Sequence, residues 1–311
     1  EEVFITEYKA KIRYLKPNVK VKEIKKSKDK IFGTYYLPDA KKLKRAFICL
    51  GGSAGNRPHL GAAILSSLGH PVLALSYFNF DGLTKDCVEV PLEIIFNAKK
   101  WLQDELKVTD VGIIGCSKGA ELALLSSSEI NFNPVVLASP SSHVFQGLGD
   151  YSKPKSSWTI SNKPVTYLTL KMGVLGFWGF IYRLFRKTPS TFTKVYNKAL
   201  DKKSKSHLKK IEESRIKSEK IKSNLLMLSG EQDLIWPSAK MAKEIEKHFK
   251  SSAKFKCKNI IYADAGHLTF RNQPGLPVES IIGDKMKLSI GGDPKLNQQA
   301  NLKMWDDIIK F

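Results

Sequence analysis

The sequence predicts an α/β protein: a mostly parallel central sheet with helices on both faces. Short apolar runs are followed, one after another, by helix-like segments. Glycine or proline marks several of the junctions. A chain of 311 residues with 42% hydrophobic residues can also bury one large core, and α/β folds of this size often form one domain. The expected organisation is therefore a single domain over residues 1–311.

The elements follow in order. Residues 1–43 alternate loosely, as in "KVKEI" and "FGTYYLP", and predict two antiparallel leading strands. "RAFICL" (45–50) is a strand running into the Gly-rich "GGSAG", and "HLGAAILSSLG" (59–69) is a helix closed by its glycine. "PVLALSYF" (71–78) is the next strand, and "PLEIIFNAKKWLQDEL" (91–106) is an amphipathic helix with proline at its start. The pattern repeats in "VGIIG", the helix "KGAELALLSSS" and the strand "PVVLAS" (134–139). After an interruption come "NLLMLSG" (224–230), a helix around 239–249, "KNIIYADAG" (258–266) and a final helix near 297–310. The interruption, 171–222, begins aromatic and glycine-rich and ends lysine-rich. Its position between two core strands predicts an inserted helical cap over the C-terminal ends of the strands.

A net charge of +21 calls for a reason. Residues 194–222 hold eleven Lys/Arg against four Asp/Glu, which suits a solvated helical face or an attractor for an anionic substrate or membrane surface. No nucleic-acid-binding motif accompanies the charge, so a nucleic-acid partner is not expected. Cys49, Cys87, Cys116 and Cys257 lack paired spacing, which supports neither a zinc site nor a disulfide framework and points to a reducing compartment. Neither metal nor cofactor is expected. The longest apolar run, 173–182, is about half a bilayer span, so membrane contact would be peripheral, through the basic cap. A cytoplasmic location is the expectation, with an exported mature chain as the alternative because the sequence opens on Glu1. The oligomeric state stays open.

Gly115-Cys116-Ser117-Lys118-Gly119 fits G-x-S-x-G between an apolar strand and a helix, the context that motif requires. The central residue of such a turn projects above the sheet, which selects Ser117 as nucleophile and leaves Cys116 to packing. A serine hydroxyl needs a base. His267, in "YADAGHLTF" after the last strand, lies at the end of the sheet that faces the turn. His143, in "ASPSSHVF", is the reserve and otherwise lines the pocket. The imidazole needs a carboxylate. Asp233 in "SGEQDLIWPS" falls deeper in its loop than Glu231, and Asp264 stands too close to His267 along the chain. Ser117, Asp233, His267 is the chain order of the α/β-hydrolases. Oxyanion donors are expected from the backbone of Lys118 and of Ser53, or the adjacent Gly52 or Ala54.

At these residues the sequence resembles a family, the acyl-CoA thioesterase and bile acid-CoA:amino acid N-acyltransferase C-terminal domain group of α/β-hydrolases. The matching segments are "LGGSAG", "LGHPVLALSYFN", "VPLEIIFNAKKWL", "GIIGCSKGAELAL", "LLMLSGEQDLIWPS", "AGHL" and "GGDPKLNQQANLKMWDDIIKF". The stretch "PSSHVFQGL" with "SSWTISNKPVTYL" is similar to the bacterial branch. The resemblance implies a Ser117/His267/Asp233 triad and an acyl thioester substrate, with coenzyme A as the carrier. It also implies that a cysteine takes the nucleophile position in amino-acid-conjugating members, so serine here favours hydrolysis. Only some forty residues precede the core, where the family usually carries a β-sandwich domain, and the cap is unusually basic. Phe177 and Trp178 of the aromatic cap segment are candidates to cover an acyl chain. The competing readings are a carboxylesterase or an acyltransferase to an amine or alcohol on the same site, and a non-catalytic binding protein.

Overall fold

The computed structural model describes residues 14–24, 31–39, 45–55, 57–171, 178–179, 181–182, 185–186, 188–201, 204–249, 255–270, 280–282 and 287–311. In chain order its elements are β1 (Val19–Ile24), β2 (Phe32–Pro38), β3 (Arg45–Leu50), α1 (His59–Ser67), β4 (Val72–Ser76), β5 (Val90–Pro91), α2 (Glu93–Leu106), β6 (Asp110–Cys116) and α3 (Lys118–Glu129). There follow β7 (Val135–Ala138), β8 (Trp158–Ile160), β9 (Lys163–Pro164), α4 (Thr193–Leu200), α5 (Lys205–Ser214) and β10 (Leu225–Gly230). The last are α6 (Ser238–Phe249), β11 (Cys257–Tyr262), β12 (Ser280–Ile282), β13 (Lys287–Ser289) and α7 (Pro294–Lys310).

Eight strands form the central sheet in the order β1-β2-β4-β3-β6-β7-β10-β11. β1 and β2 are antiparallel, as is the β2–β4 pair, and every other pairing is parallel. This is the α/β-hydrolase architecture expected from the sequence.

Side-chain alternation sorts the strands onto two cores. Ile48, Leu50, Ile113, Leu137 and Met227 pack with Ile95 and Leu102 of α2, Leu124 of α3 and Ile245 of α6. Their neighbours Phe47, Cys49, Ile114, Cys116, Val136 and Leu228 pack on the other face with Leu65 of α1 and Met304, Trp305 and Ile308 of α7. Both faces are thus covered, which is why the parallel strands read as unbroken apolar runs. A third cluster of Phe145, Leu168, Tyr196, Trp236 and Met241 joins α4 and α6 to the segments on either side of them.

Two helix starts differ from expectation. Pro91 does not open α2; it lies in β5, paired with Thr159 in a small three-stranded sheet β5-β8-β9. Val90 N and Leu92 N donate to Ser157 O and Thr159 O, so the alternate N–H that proline lacks is not needed there. α7 begins at Pro294 rather than near Asn297, because Asp293 accepts from Lys295 N and Leu296 N and proline occupies the first turn. Among the described residues, no helix is long and apolar enough to cross a membrane.

Candidate active site

The register Leu50↔Gly115, Cys116↔Ala138 and Leu228↔Ala138 brings the C-terminal ends of β3, β6, β7 and β10 side by side. The loops that leave them carry the candidate residues. Ser117 follows β6 directly and adopts φ 54, ψ −124, a strained conformation for a residue with a side chain. Its N–H donates to Ala138 O at 2.9 Å. A Cβ on Gly115 would collide with Gly119 O, and one on Gly119 with Gly51 O. Both glycines of the motif are therefore sites where backbone lies on backbone. Cys116 is 1% exposed and faces the α1/α7 core beside Cys49, whose thiol burial pushes well above its ordinary pKa.

His267 and Asp233 meet in the interior. His267 Nδ1 lies 2.8 Å from Asp233 Oδ2, with both side chains almost fully buried. The same Oδ2 accepts from Ser238 Oγ at 2.6 Å, and Oδ1 accepts from Ile235 N and Trp236 N at 2.9 and 3.2 Å. Three donors besides the imidazole thus converge on this one carboxylate and fix its orientation towards His267 Nδ1. Asp233 folds its own loop as an Asx turn, which explains why a deep position after β10 suits an aspartate. The histidine loop is tied down by His267 N to Ile290 O, Leu268 N to Ser139 Oγ and Gly266 N to Asn297 Oδ1. The Trp236 ring stands edge-on to the His267 ring, 5.9 Å between centroids. Among the described residues, Ser117 Oγ makes no hydrogen bond in this conformation; catalytic contacts of this kind often tighten only in the substrate complex.

Of the oxyanion candidates, Lys118 is the first residue of α3, whose early N–H groups have no helical acceptor. A Cβ on Gly52 would lie 3.2 Å from Ser117 Cβ, so Gly52 is packed directly against the serine, while Ser53 is exposed. Tyr77 OH donates to Gly51 O at 2.7 Å and fixes that loop from below.

His143 is buried, its Nδ1 2.8 Å from Ser142 Oγ, and its charged neighbours are Glu244, Arg215, Glu212 and Lys217. Burial lowers its pKa to about 4. The structure sets it among residues of α5, α6 and the turn after α5. Trp178 is 63% exposed, and Phe177 lies outside the described residues. Glu231 pairs with Lys243 on the surface, and Asp264 accepts from Gln232 Nε2.

Sequence reasoning missed one feature. Lys118 Nζ and Glu121 Oε1 form an ion pair of 2.7 Å one turn into the nucleophile helix, with side chains 3% and 0% exposed. Trp158 Nε1 donates to the same Oε1 at 2.8 Å, Phe145 N approaches it at 3.4 Å, and the lysine stands over the Trp158 ring. Burial raises the Glu121 carboxyl pKa against the lowering pull of Lys118, Trp158 and Phe145 N. The signal was an i,i+3 Lys/Glu pair flanking the apolar run of the helix, but Trp158 comes from a distant segment.

Comparison with known proteins bears on the family and on the fold. The family model described as BAAT / Acyl-CoA thioester hydrolase C terminal matches residues 90–311. Acyl-coenzyme A thioesterase 1 of Mus musculus is 27% identical over 96% of this chain and 66% of its own length. Acyl-coenzyme A thioesterase 2, mitochondrial, of Rattus norvegicus is 25% identical over 91% of this chain and 58% of its own. Acyl-coenzyme A amino acid N-acyltransferase 2 of Rattus norvegicus is 27% identical, over 95% and 65%. The chain thus spans less than two thirds of the length of these relatives. Among solved structures, a puromycin-hydrolysing peptidase of Mycobacterium tuberculosis matches with a TM-score of 0.53 at 13% identity, over 84% of this chain and 37% of that one. The acylaminoacyl peptidase of Pyrococcus horikoshii gives 0.53 at 14%, over 95% and 42%. These likenesses concern the fold.

Proposed function

The chain belongs to the BAAT / acyl-CoA thioester hydrolase C-terminal family, and from that premise we propose that it hydrolyses acyl thioesters of the coenzyme A class through an acyl-enzyme on Ser117. Ser117 Oγ attacks the thioester carbonyl carbon while His267 Nε2 takes the hydroxyl proton. The oxyanion develops against the backbone N–H of Lys118 and one from the loop at Gly52, Ser53 or Ala54. Collapse breaks the C–S bond, and the leaving thiolate takes the proton from the imidazolium. Water then attacks the acyl ester, His267 takes its proton, and the carboxylic acid departs as Ser117 Oγ is reprotonated. Asp233 keeps its charge throughout and stabilises the imidazolium that forms in each half-reaction.

The observation that carries this reading is a strained serine at the G-x-S-x-G turn, next to strand ends that bear a buried His267–Asp233 hydrogen bond of 2.8 Å. Segment 171–222 is read as a cap on the acyl side of the site. In support, Thr193 Oγ1 donates to Asp233 O at 2.7 Å, and the Tyr196 ring stands edge-on to Trp236. The test is turnover of an acyl-CoA panel by the wild type, Ser117→Ala and Cys116→Ala. Loss of about 10⁴-fold or more in kcat is expected for Ser117→Ala, and near-normal turnover for Cys116→Ala. Undiminished turnover by Ser117→Ala would refute the assignment.

Similarity to both thioesterases and an N-acyltransferase keeps transfer as a second reading. Serine at the turn favours water as acceptor, so free acid is the expected product with and without added glycine. An N-acylglycine product would favour transfer.

A further inference from the structure

An oxyanion at Ser117 has to be met by N–H groups on two segments, the loop after β3 and the first turn of α3, and the two must be held in register. Tyr77, which follows β4 directly, is 3% exposed. Its hydroxyl lies 2.7 Å from Gly51 O and 3.3 Å from Gly52 O, two successive carbonyls of that loop. Burial pushes the phenol pKa well above its ordinary value, so the group stays an O–H donor.

A peptide unit is planar and trans, so its N–H points opposite to its C=O. Holding Gly51 O therefore fixes the direction of Gly52 N–H, and holding Gly52 O fixes that of Ser53 N–H. Among the described residues, neither Gly52 N nor Ser53 N nor Lys118 N donates a hydrogen bond. Gly52 O also accepts from Gly55 N at 3.3 Å, which closes the loop as a turn. A Cβ on Gly119 would strike Gly51 O, so the first turn of α3 rests on the atom that Tyr77 holds. A Cβ on Gly52 would lie 3.2 Å from Ser117 Cβ. Nucleophile, helix start and loop thus meet at Gly51 and Gly52.

The seat of the Tyr77 ring leads to the other donor. The ring lies 6.0 Å from that of Trp158, centroid to centroid. Trp158 Nε1 donates to Glu121 Oε1, which also holds Lys118 Nζ, and Lys118 N is the expected donor from the helix side. One buried cluster therefore reaches the loop through Tyr77 and the helix through Glu121 and Lys118, with Trp158 between them. Satisfying a buried carbonyl needs a donor of any kind. Here the donor spans the two carbonyls whose peptide units supply candidate N–H groups.

Resting on the acyl-enzyme reading above, we propose that Tyr77 is a positioning residue for the reaction, its hydroxyl aiming the loop-side oxyanion donor. It acts through the Gly51–Gly52 and Gly52–Ser53 peptide units rather than on the reacting atoms. Of the three loop candidates, this selects Gly52 N or Ser53 N over Ala54 N. A misaimed donor weakens the transition state, where the oxygen is charged, more than it weakens substrate binding.

The experiment compares the wild type with Tyr77→Phe, Tyr35→Phe and Ser117→Ala. Tyr35, on β2, is another buried phenol whose hydroxyl makes no hydrogen bond, so it reports the effect of removing such an oxygen elsewhere. The substrate is the acyl-CoA that the wild type turns over fastest. The inhibitor is a trifluoromethyl ketone with the same alkyl chain. Ser117 Oγ adds to its carbonyl carbon, the hydroxyl proton passes to His267 Nε2, and the ketone oxygen becomes the oxyanion. Active sites are counted by end-point fluorophosphonate labelling, so unfolded protein does not enter kcat. Tyr77→Phe should lower kcat by about tenfold or more, keep KM within about twofold, and weaken the inhibitor by about the same factor as kcat. Tyr35→Phe should leave all three within about twofold. Wild-type kcat and inhibitor affinity in Tyr77→Phe would overturn the assignment. So would a raised KM at unchanged kcat, or an equal loss in Tyr35→Phe. Undiminished turnover by Ser117→Ala would break the acyl-enzyme reading, and the assignment with it. Loss in Ser117→Ala without loss in Tyr77→Phe would break the assignment alone.

Discussion

Around Ser117 backbone packs on backbone, whereas between β7 and β10 the chain turns lysine-rich and holds Trp178, Tyr182 and Phe185 at the surface. The first region tolerates one geometry. Gly115 and Gly119 have no room for a side chain, Ser117 is held at positive φ, and a buried ion pair anchors the first turn of α3. In the second, α4 meets the Asp233 loop through Thr193 Oγ1 and the edge of the Tyr196 ring. Where the backbone is over-determined, the sequence has few ways to write it. A largely solvated face can be written with many sequences.

That contrast is open to direct challenge, and after Ser117 itself the largest effect expected is at Asp233. Asp233→Asn keeps the shape, but Oδ1 already accepts two N–H groups, so the new amide nitrogen falls at the Oδ2 position facing His267 Nδ1. Two donors then meet, the tautomer is wrong, and kcat should fall by about 10³–10⁴-fold with little change in melting temperature. A matching change in α5, Lys209→Gln with Lys210→Gln, should alter stability by less than about 0.5 kcal/mol.

The buried pair comes next. Lys118→Met strands the Glu121 carboxylate in the interior and should cost about 3–5 kcal/mol in denaturant unfolding. Adding Glu121→Gln removes the stranded charge while keeping an acceptor for Trp158 Nε1, and should recover most of that loss. No recovery in the double variant would mean that the pair's charge is not what burial penalises. Gly119→Ala should cost about 3 kcal/mol, since the obstacle is the Gly51 carbonyl rather than a movable side chain. A fully stable and active Gly119→Ala protein would show the turn to be looser than described.

His143 gives a pH signature. Its folded pKa, about 4, lies below the ordinary value near 6.5. A depressed histidine contributes stability that is complete above pH 6.5 and is lost as pH falls towards 4. Unfolding free energy should therefore decline across that window, and the decline should shrink by about 3 kcal/mol in His143→Asn. Glu212 and Glu219, both lowered to about 2 by hydrogen bonds from Arg215, act only below about pH 4.5, so the two contributions separate on the pH axis.

Much of this arrangement was legible beforehand. The alternation of "RAFICL", "VGIIG" and "NLLMLSG" with helical segments reflects a sheet covered on both faces, and the continuous burial of β3 and β6, with successive side chains joining opposite cores, agrees with it. The loops carrying Ser117, Asp233 and His267 were readable because each follows a strand at the same edge of the sheet. Pro91 misled because its role depends on pairing with Thr159, 68 residues away along the chain. The Glu121–Trp158 bond is likewise long-range, and no local spacing announces it. His143 read as a pocket residue from its place after a strand; its backbone pairing with Arg215, 72 residues on, is another long-range contact that no local spacing announces.

The central claim is that Ser117, and not its neighbour Cys116, carries the acyl group. Acid quench during turnover of an acyl-CoA, followed by fragmentation mass spectrometry of the peptide spanning both residues, reads this directly. The account predicts the acyl mass on Ser117, present in Cys116→Ala and absent in Ser117→Ala. An acyl adduct on Cys116 in the wild type would contradict it.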